Sequence, residues 1–256
     1  MPDADDLVLR DLMAELAAEA GELARACARR GMRTWTKDRS SPVTEADIAV
    51  DRFLKEKLTA ARPDFGWLSE ETADSPERIG RREVFIVDPI DGTRAFAAGL
   101  PDWTVSLAVV RDGRPVAAAL AEPEQGRVFA AALGHGATVN GRRMVPMARD
   151  SLAGARVAGP MPMLAGAKRA GAVLLPKIHS LALRFAKVAA GEIDAGFAGG
   201  SSHDWDLAAA DLLVHEAGAA LTGLDGTVPV YNRPVPVHSP LICATPALHG
   251  LLRQQA

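Results

Sequence analysis

The feature that most constrains the fold is a short apolar run that ends in a pair of acids. Residues 84–87 read VFIV, and residues 88–93 that follow read DPIDGT. Four consecutive apolar residues of this kind are typical of a buried strand. Pro89 fixes its φ angle and has no N–H to donate, so we expect the strand to end there, with both aspartates at the mouth of a turn. Gly92 permits a close backbone approach, and Thr93 is a position from which a helix could begin.

Two carboxylates beside a helix start conflict electrostatically unless a cation lies with them. Carboxylates this close raise one another's pKa and repel a phosphate. Bound Mg²⁺ reverses the conflict, because this ion takes hard oxygen ligands and commonly shares them with substrate phosphates. For a bare Asp-x-x-Asp, an ordinary loop with one capping and one solvated aspartate is the more common explanation. The surrounding sequence favours the metal.

Further motifs occur in order on either side of DPIDGT. They are SPVTEAD at residues 41–47, LSEET at 68–72, WDLAAA at 205–210 and EAG at 216–218. Together these segments resemble the inositol monophosphatase family, a branch of the lithium-sensitive, magnesium-dependent phosphatases, over nearly the whole chain. The resemblance implies an α/β layered fold, the αβαβα sandwich of the inositol monophosphatase and fructose-1,6-bisphosphatase type. It also implies a metal-dependent phosphomonoesterase.

The resemblance further implies which residues form the site. The site would hold two or three Mg²⁺ ions, and the ligands that the resemblance implies are Glu70, Asp88, the Ile90 carbonyl, Asp91 and Asp206. Asp47 and Thr93 would orient the attacking water, and Glu70 would take part in catalysis as well as in metal binding. The backbone amides of Gly92 and Thr93 would hold the phosphate. Lys37 is either a lysine that approaches the metals from a nearby loop, as in the family, or a solvated loop lysine.

Several of these positions also have an explanation without catalysis. Thr44 and Asp47 form a box-like capping pattern before an amphipathic helix, which would account for Asp47 alone. Asp206 lies at the start of another predicted helix, where an acid is favoured by the helix dipole. A non-catalytic relative that binds metal, phosphate or a partner is a further hypothesis. The predicted catalytic and carboxylate positions are all intact, which favours an enzyme.

The substrate side departs from the family pattern. Gly199 stands where the family has a glutamate that contacts inositol hydroxyls, and His179 replaces the usual glycine before Ser180. The 3'(2'),5'-bisphosphate nucleotidase branch also lacks that glutamate. Basic residues that could hold a second phosphate, or form only a solvated surface, are Lys168, Arg169, Lys177 and Arg184. We therefore predict hydrolysis of adenosine 3',5'-bisphosphate to AMP, with inositol-1-monophosphatase as the alternative. The predicted substrate-binding residues are Gly92, Thr93, Lys177, Ser180 and Gly199.

The chain reads as two subdomains, residues 1–147 and 148–256. Apolar residues at three- and four-residue steps predict a helix from Leu9 to Cys27, followed by a flexible loop at residues 36–42. Asp112-Gly113 and Asn140-Gly141 are hairpin signals within an antiparallel meander. The second half, which carries Asp206 and the substrate-side helix, alternates strands and helices.

Composition narrows the range of partners. The net charge of −3 gives no reason to expect binding to a nucleic-acid polymer or to a membrane surface. No apolar run approaches the length of a membrane span and the first residues are acidic, so we expect a cytoplasmic protein acting on a small-molecule phosphate ester. His179, His203 and His215 are dispersed and do not form a metal set. The family resemblance implies a homodimer.

Overall fold

The computed structural model describes residues 4–31, 33–37 and 41–255. The α-helices in these ranges are α1 (Ala4–Arg29), α2 (Glu45–Ala61), α3 (Thr93–Ala97), α4 (Ala165–Arg169), α5 (Leu181–Ala189), α6 (Asp204–Ala217) and α7 (Pro246–Arg253). Short 3₁₀ helices span Pro76–Gly80, Pro123–Gln125 and Met161–Leu164. None of the described helices is both long and apolar enough to cross a bilayer.

The first large sheet has seven strands in sequence order. They are β3 (Gly66–Ser69), β4 (Glu83–Asp91), β5 (Thr104–Arg111), β6 (Arg114–Glu122), β7 (Arg127–Ala132), β8 (Ala137–Val139) and β9 (Arg142–Arg143). Strands β3 and β4 pair in parallel, and every later pair is antiparallel. Asp112 and Asn140 have positive φ at the two hairpins, each followed by a positive-φ glycine. The predicted meander is confirmed.

The second sheet has five strands, which are β10 (Arg156–Ala158), β11 (Val173–Leu174), β12 (Ala195–Ala198), β14 (Ala220–Gly223) and β16 (Leu241–Ala244). Their order across the sheet is β11, β10, β12, β16, β14. Two smaller ribbons pair β1 (Thr34–Lys37) with β2 (Ser41–Thr44), and β13 (Ser202–His203) with β15 (Val237–His238). The subdomain boundary at residues 147 and 148 stays a prediction.

Three apolar clusters arrange these elements in five layers. Helices α1 and α2 pack on one face of the seven-stranded sheet, and α5 and α6 fill the space between the two sheets. Helix α7 and the segment around α4 cover the outer face of the five-stranded sheet. Phe85 and Val87 face α1 and α2, whereas Val84 and Ile86 face α5 and α6, so both faces of β4 are buried. This explains its continuous apolar run. The αβαβα sandwich is confirmed.

Two local predictions were wrong. Strand β4 does not end at Pro89: it continues to Asp91, and the pairing with β5 shifts register between Asp88 and Asp91. Such an irregularity accommodates a proline, because the bulged residue needs no N–H in the ladder. Of the segment expected to be a flexible loop at residues 36–42, residues 36–37 belong to β1 and residues 41–42 to β2, whose pairing sets Trp35 opposite Val43; residues 38–40 lie outside the described ranges.

Candidate active site

Three carboxylates from two distant parts of the chain meet at the register shift of β4. Asp88, Asp91 and Asp206 each place a carboxylate oxygen within 4.8 Å of the others. Asp88 is almost fully buried, and its Oδ1 accepts a hydrogen bond from the Ile90 N–H at 3.0 Å. The register shift thus bends the chain so that both β4 aspartates face one point.

Asp206 comes from the first turn of α6. The His203 N–H donates to Asp206 Oδ2 at 2.6 Å, which caps the helix. The side chain keeps 22% of its surface exposed, and it lines the same cavity as Asp88 and Asp91. Helix capping and membership of the cluster are therefore compatible in this residue, although the sequence presents them as alternatives.

The start of α5 holds Asp91 in place. Ser180 Oγ donates to Asp91 Oδ2 at 2.6 Å, and the Ala182 N–H donates to the same oxygen at 2.7 Å. The Leu181 N–H reaches Oδ1 at 3.2 Å. Ser180 is fully buried and also caps α5 by accepting from the Leu183 N–H. These bonds fix the carboxylate. Burial raises the pKa of Asp91, and the bonds, which favour the ionised form, offset part of that rise.

Glu70 joins the cluster from the loop after β3. The buried carboxylate of Asp51 anchors that loop by accepting from the Ser69 and Thr72 hydroxyls. Glu70 lines a cavity of about 280 Å³ together with the three aspartates. We call Glu70, Asp88, Asp91 and Asp206 the acidic cluster.

The acidic cluster is electrostatically unbalanced. Burial, followed by repulsion from Asp206 and other nearby acids, raises the pKa of Glu70 to about 8. Burial and then the charge of Asp91 raise the pKa of Asp206 to about 7. For Asp88, burial and then the charge of Glu70 raise the pKa well above its usual range. A donor set of hard carboxylate oxygens at this spacing fits a divalent cation, which would relieve the repulsion.

Asp47 and Thr93 contact each other at the edge of the cluster. Thr44 donates from its N–H (2.8 Å) and from its hydroxyl (2.6 Å) to Asp47 Oδ2, which completes the capping box of α2. Thr93 Oγ1 lies 3.3 Å from Asp47 Oδ1 and 3.0 Å from the Ile90 carbonyl oxygen. Burial raises the pKa of Asp47 to about 6. One oxygen of Asp47 thus caps the helix and the other faces Thr93.

Gly92 is required by the turn between β4 and α3. Its φ is +93°, a left-handed conformation that residues with a Cβ rarely adopt. A Cβ built here would lie 3.0 Å from the Asp102 carbonyl oxygen and 3.1 Å from the Ser180 nitrogen. The turn is therefore packed directly against the segment before α5. Both Gly92 and Thr93 line the cavity.

The predicted substrate residues have different locations. Lys177 lines the cavity, whereas Ser180 is buried beneath it and Gly199 lies outside its lining. Of the other basic residues, Arg184 is buried and donates to the backbone carbonyls of Phe197 and Ile178. Lys168 and Arg169, at the end of α4, also lie outside the lining.

Pro42, Arg94 and His179 also line the cavity, although none of them was predicted to be a site residue. Arg94 directly follows DPIDGT, and His179 directly precedes Ser180, so adjacency to predicted residues was the available signal. The backbone of Lys37 belongs to β1, but its side chain lies outside the part of the chain that the structure describes.

The five-layer fold and its cavity, in which carboxylates surround the turn after a buried strand, define a metal-assisted phosphatase. The inositol monophosphatase family model matches residues 7–256, and the chain belongs to that family. It is 31% identical to the 3'(2'),5'-bisphosphate nucleotidase CysQ of Aggregatibacter actinomycetemcomitans, covering 91% of this chain and 90% of the relative. It is 37% identical to the histidinol-phosphatase of Mycobacterium tuberculosis, covering 87% and 88%.

A solved structure agrees with this assignment. The extragenic suppressor protein suhB from Bartonella henselae superposes with a TM-score of 0.86 at 28% identity, covering 97% of this chain and 98% of that one. The curated relatives are named for different phosphate esters. Family membership therefore defines a phosphatase and leaves the choice of ester to the cavity.

Proposed function

We propose that this chain hydrolyses a small phosphate monoester with the help of Mg²⁺. The ligands would be Glu70, Asp88, the Ile90 carbonyl, Asp91 and Asp206. The supporting observation is the convergence of Asp88, Asp91 and Asp206 within 4.8 Å at a cavity that Gly92 and Thr93 also line. Bound Mg²⁺ would supply Lewis acidity and balance the negative charge of both the acidic cluster and the phosphate.

Asp47 and Thr93 are proposed to handle the proton of the attacking water. The Thr93 hydroxyl lines the cavity and lies within hydrogen-bond distance of Asp47 Oδ1. A carboxyl with a pKa of about 6 is largely ionised near neutral pH and still basic enough to accept a proton. Because Thr44 occupies the other oxygen of Asp47, Oδ1 is oriented toward Thr93. Thr93 would hold the water and Asp47 would take up its proton.

The finer assignment is 3'(2'),5'-bisphosphate nucleotidase, with adenosine 3',5'-bisphosphate converted to AMP. The similarity to CysQ supports this choice, as does Gly199 in place of a hydroxyl-binding acid. Lys177 at the cavity adds a basic group for a second phosphate. Inositol 1-phosphate is the alternative, supported by membership of the family itself. Homodimer formation stays a prediction.

The test is release of inorganic phosphate in the presence of Mg²⁺. Adenosine 3',5'-bisphosphate, inositol 1-phosphate and histidinol phosphate are compared at matched low concentrations with the wild-type protein, Asp91→Asn and Asp225→Asn. Asp225 is exposed and outside the cavity lining, so its variant controls for loss of one acid. We expect turnover that needs Mg²⁺, survives in Asp225→Asn and drops by orders of magnitude in Asp91→Asn.

Each outcome bears on a different part of the proposal. A clear preference for the bisphosphate supports the nucleotidase, and a preference for inositol 1-phosphate supports the alternative. Turnover of a generic ester alone, dependent on Asp91, would keep the phosphatase and reject both substrates. Complete absence of Mg²⁺-dependent turnover would instead favour a non-catalytic relative.

A further inference from the structure

Lys177 and His179 reach the cavity from a different part of the fold than its acidic residues. The acidic cluster is carried by the loop after β3, by β4 and by α6, whereas Lys177 and His179 lie in the segment before α5. Arg94 of α3 also lines the cavity. Lys177 forms no hydrogen bond or ion pair with any residue that the structure describes, so its ammonium group is available to a ligand.

Asp102 fixes the imidazole of His179. The His179 N–H donates to Asp102 Oδ2 at 2.6 Å, and Nδ1 of the ring lies 2.7 Å from the same oxygen. A carboxylate oxygen can only accept, so we assign a proton to Nδ1, which leaves Nε2 as the ring nitrogen available for other contacts. The side chain is 25% exposed.

The segment that carries Lys177 and His179 is also fixed relative to the turn at Gly92 and Thr93, where the phosphate is proposed to bind. The Ser180 N–H donates to the Asp102 carbonyl oxygen at 3.2 Å. A Cβ built on Gly92 would touch this same Asp102 carbonyl oxygen and Ser180 nitrogen, so the segment before α5 packs directly against the turn at Gly92. The imidazole therefore has a defined position beside the site where the phosphate would bind.

We propose that Lys177 and His179 form a subsite for a second anionic group on the substrate, with His179 determining specificity and Asp102 positioning it. The inference rests on the proposed phosphatase activity. A lysine ammonium is a donor without acceptor capacity, so it recognises a phosphate or carboxylate. Asp102 holds the ring of His179 through Nδ1, so Nε2 is the ring nitrogen left to contact the same group. Phosphate esters of a cationic alcohol would gain no binding energy from Lys177 and His179.

The experiment uses two pairs of esters that differ by one anionic group. The pairs are adenosine 3',5'-bisphosphate with adenosine 3'-monophosphate, and 2-phosphoglycerate with glycerol 2-phosphate. The first pair adds a phosphate and the second a carboxylate. KM and kcat are measured with Mg²⁺ for the wild type, His179→Ala, His179→Gln, Lys177→Ala and Asp102→Asn. Lys168→Ala is the matched control, because Lys168 is exposed and outside the cavity lining.

We expect the wild type to prefer the member with the extra anion in at least one pair. His179→Ala and Lys177→Ala should each raise KM for that member about 10-fold or more, the effect of losing a hydrogen bond to a charged group. KM for the partner ester should change less than about 3-fold. His179→Gln should recover part of the loss, Asp102→Asn should lose part of the preference, and Lys168→Ala should match the wild type.

Equal KM values within both pairs for an active wild type would overturn the subsite while the phosphatase stands. Retention of the full preference in His179→Ala would overturn the role of His179. Equal losses for both members of a pair would mean a structural defect rather than anion recognition, and would also reject the inference. No Mg²⁺-dependent turnover of any of the four esters would reject the proposed function, and the subsite with it.

Discussion

Replacing Asp206 by asparagine should stabilise the metal-free protein and abolish its activity. A carboxyl with a pKa of about 7 in the folded state, against 3.8 for an ordinary aspartate, disfavours folding at pH 8 by about 4 kcal/mol. Asparagine removes this charge and can keep the hydrogen bond from the His203 N–H. Burial of the amide offsets about 1–3 kcal/mol of the gain. The net expectation is about 1–3 kcal/mol, or roughly 2–12 °C in Tm.

The raised pKa of Asp206 predicts how the stability gain of Asp206→Asn depends on pH. A carboxyl whose pKa is higher in the folded state contributes stability below about pH 4, and this contribution is lost as the pH rises through about 7. The advantage of Asp206→Asn should therefore be full at pH 8 and should shrink toward pH 5. With saturating Mg²⁺ at pH 8 the order should reverse, because a bound cation stabilises the wild-type cluster more than one that has lost a ligand.

Asp204→Asn is the matched control, two positions away on the same helix. The buried Asp204 carboxylate accepts from the Asn232 N–H and from His238 Nε2, both at 2.7 Å. The same chemical change should thus destabilise the protein by about 1–3 kcal/mol. Thermal melting of the three proteins in EDTA and in Mg²⁺, at pH 5 and pH 8, provides the measurement. An Asp206→Asn variant that melts below the wild type in EDTA at pH 8 would refute our account of the acidic cluster.

Three further predictions follow from the same contacts. Ser180→Ala removes a helix cap and a hydrogen bond to Asp91, so we expect a loss of about 1–3 kcal/mol by urea unfolding and weaker Mg²⁺ activation; the exposed Ser239→Ala should change neither. Gly92→Ala should lower both Tm and kcat, because its Cβ would meet backbone atoms at 3.0–3.1 Å and φ is +93°; an unchanged kcat would contradict this. Mg²⁺ should raise the wild-type Tm more at pH 8 than at pH 5.5 because the raised pKa values of the acidic cluster leave more of it protonated at the lower pH, and an equal rise at both would argue against metal binding there.

Local sequence signals predicted much of the fold. Helix periodicity predicted α1, Thr44 with Asp47 predicted the cap of α2, and the Asp-Gly and Asn-Gly pairs predicted hairpins. These features depend on residues within a few positions of one another, whose backbone preferences are largely intrinsic. The register shift at Pro89 was not predicted, because it depends on how β5 pairs with β4.

The sequence by itself determined which types of side chain the candidate site contains. The motif DPIDGT keeps two acids, a left-handed glycine and a threonine within six consecutive residues, so their proximity follows from the covalent chain alone. The resemblance to the inositol monophosphatase family added Asp206 and Glu70, which no local pattern links to the motif. What these residues share is oxygen ligands for a cation, a property of the side chains that needs no fold to be recognised.

Only the tertiary structure decided how the site is held and what surrounds it. Ser180 bonds to Asp91 across 89 residues and His179 to Asp102 across 77, contacts that exist because α5 packs between the two sheets. The same packing buries Arg184 while leaving Lys177 at the cavity. A sequence shows which basic residues the chain contains, but the burial and orientation of each side chain depend on long-range packing. Only the fold could therefore separate Lys177, a candidate substrate-binding residue, from Arg184, a structural one.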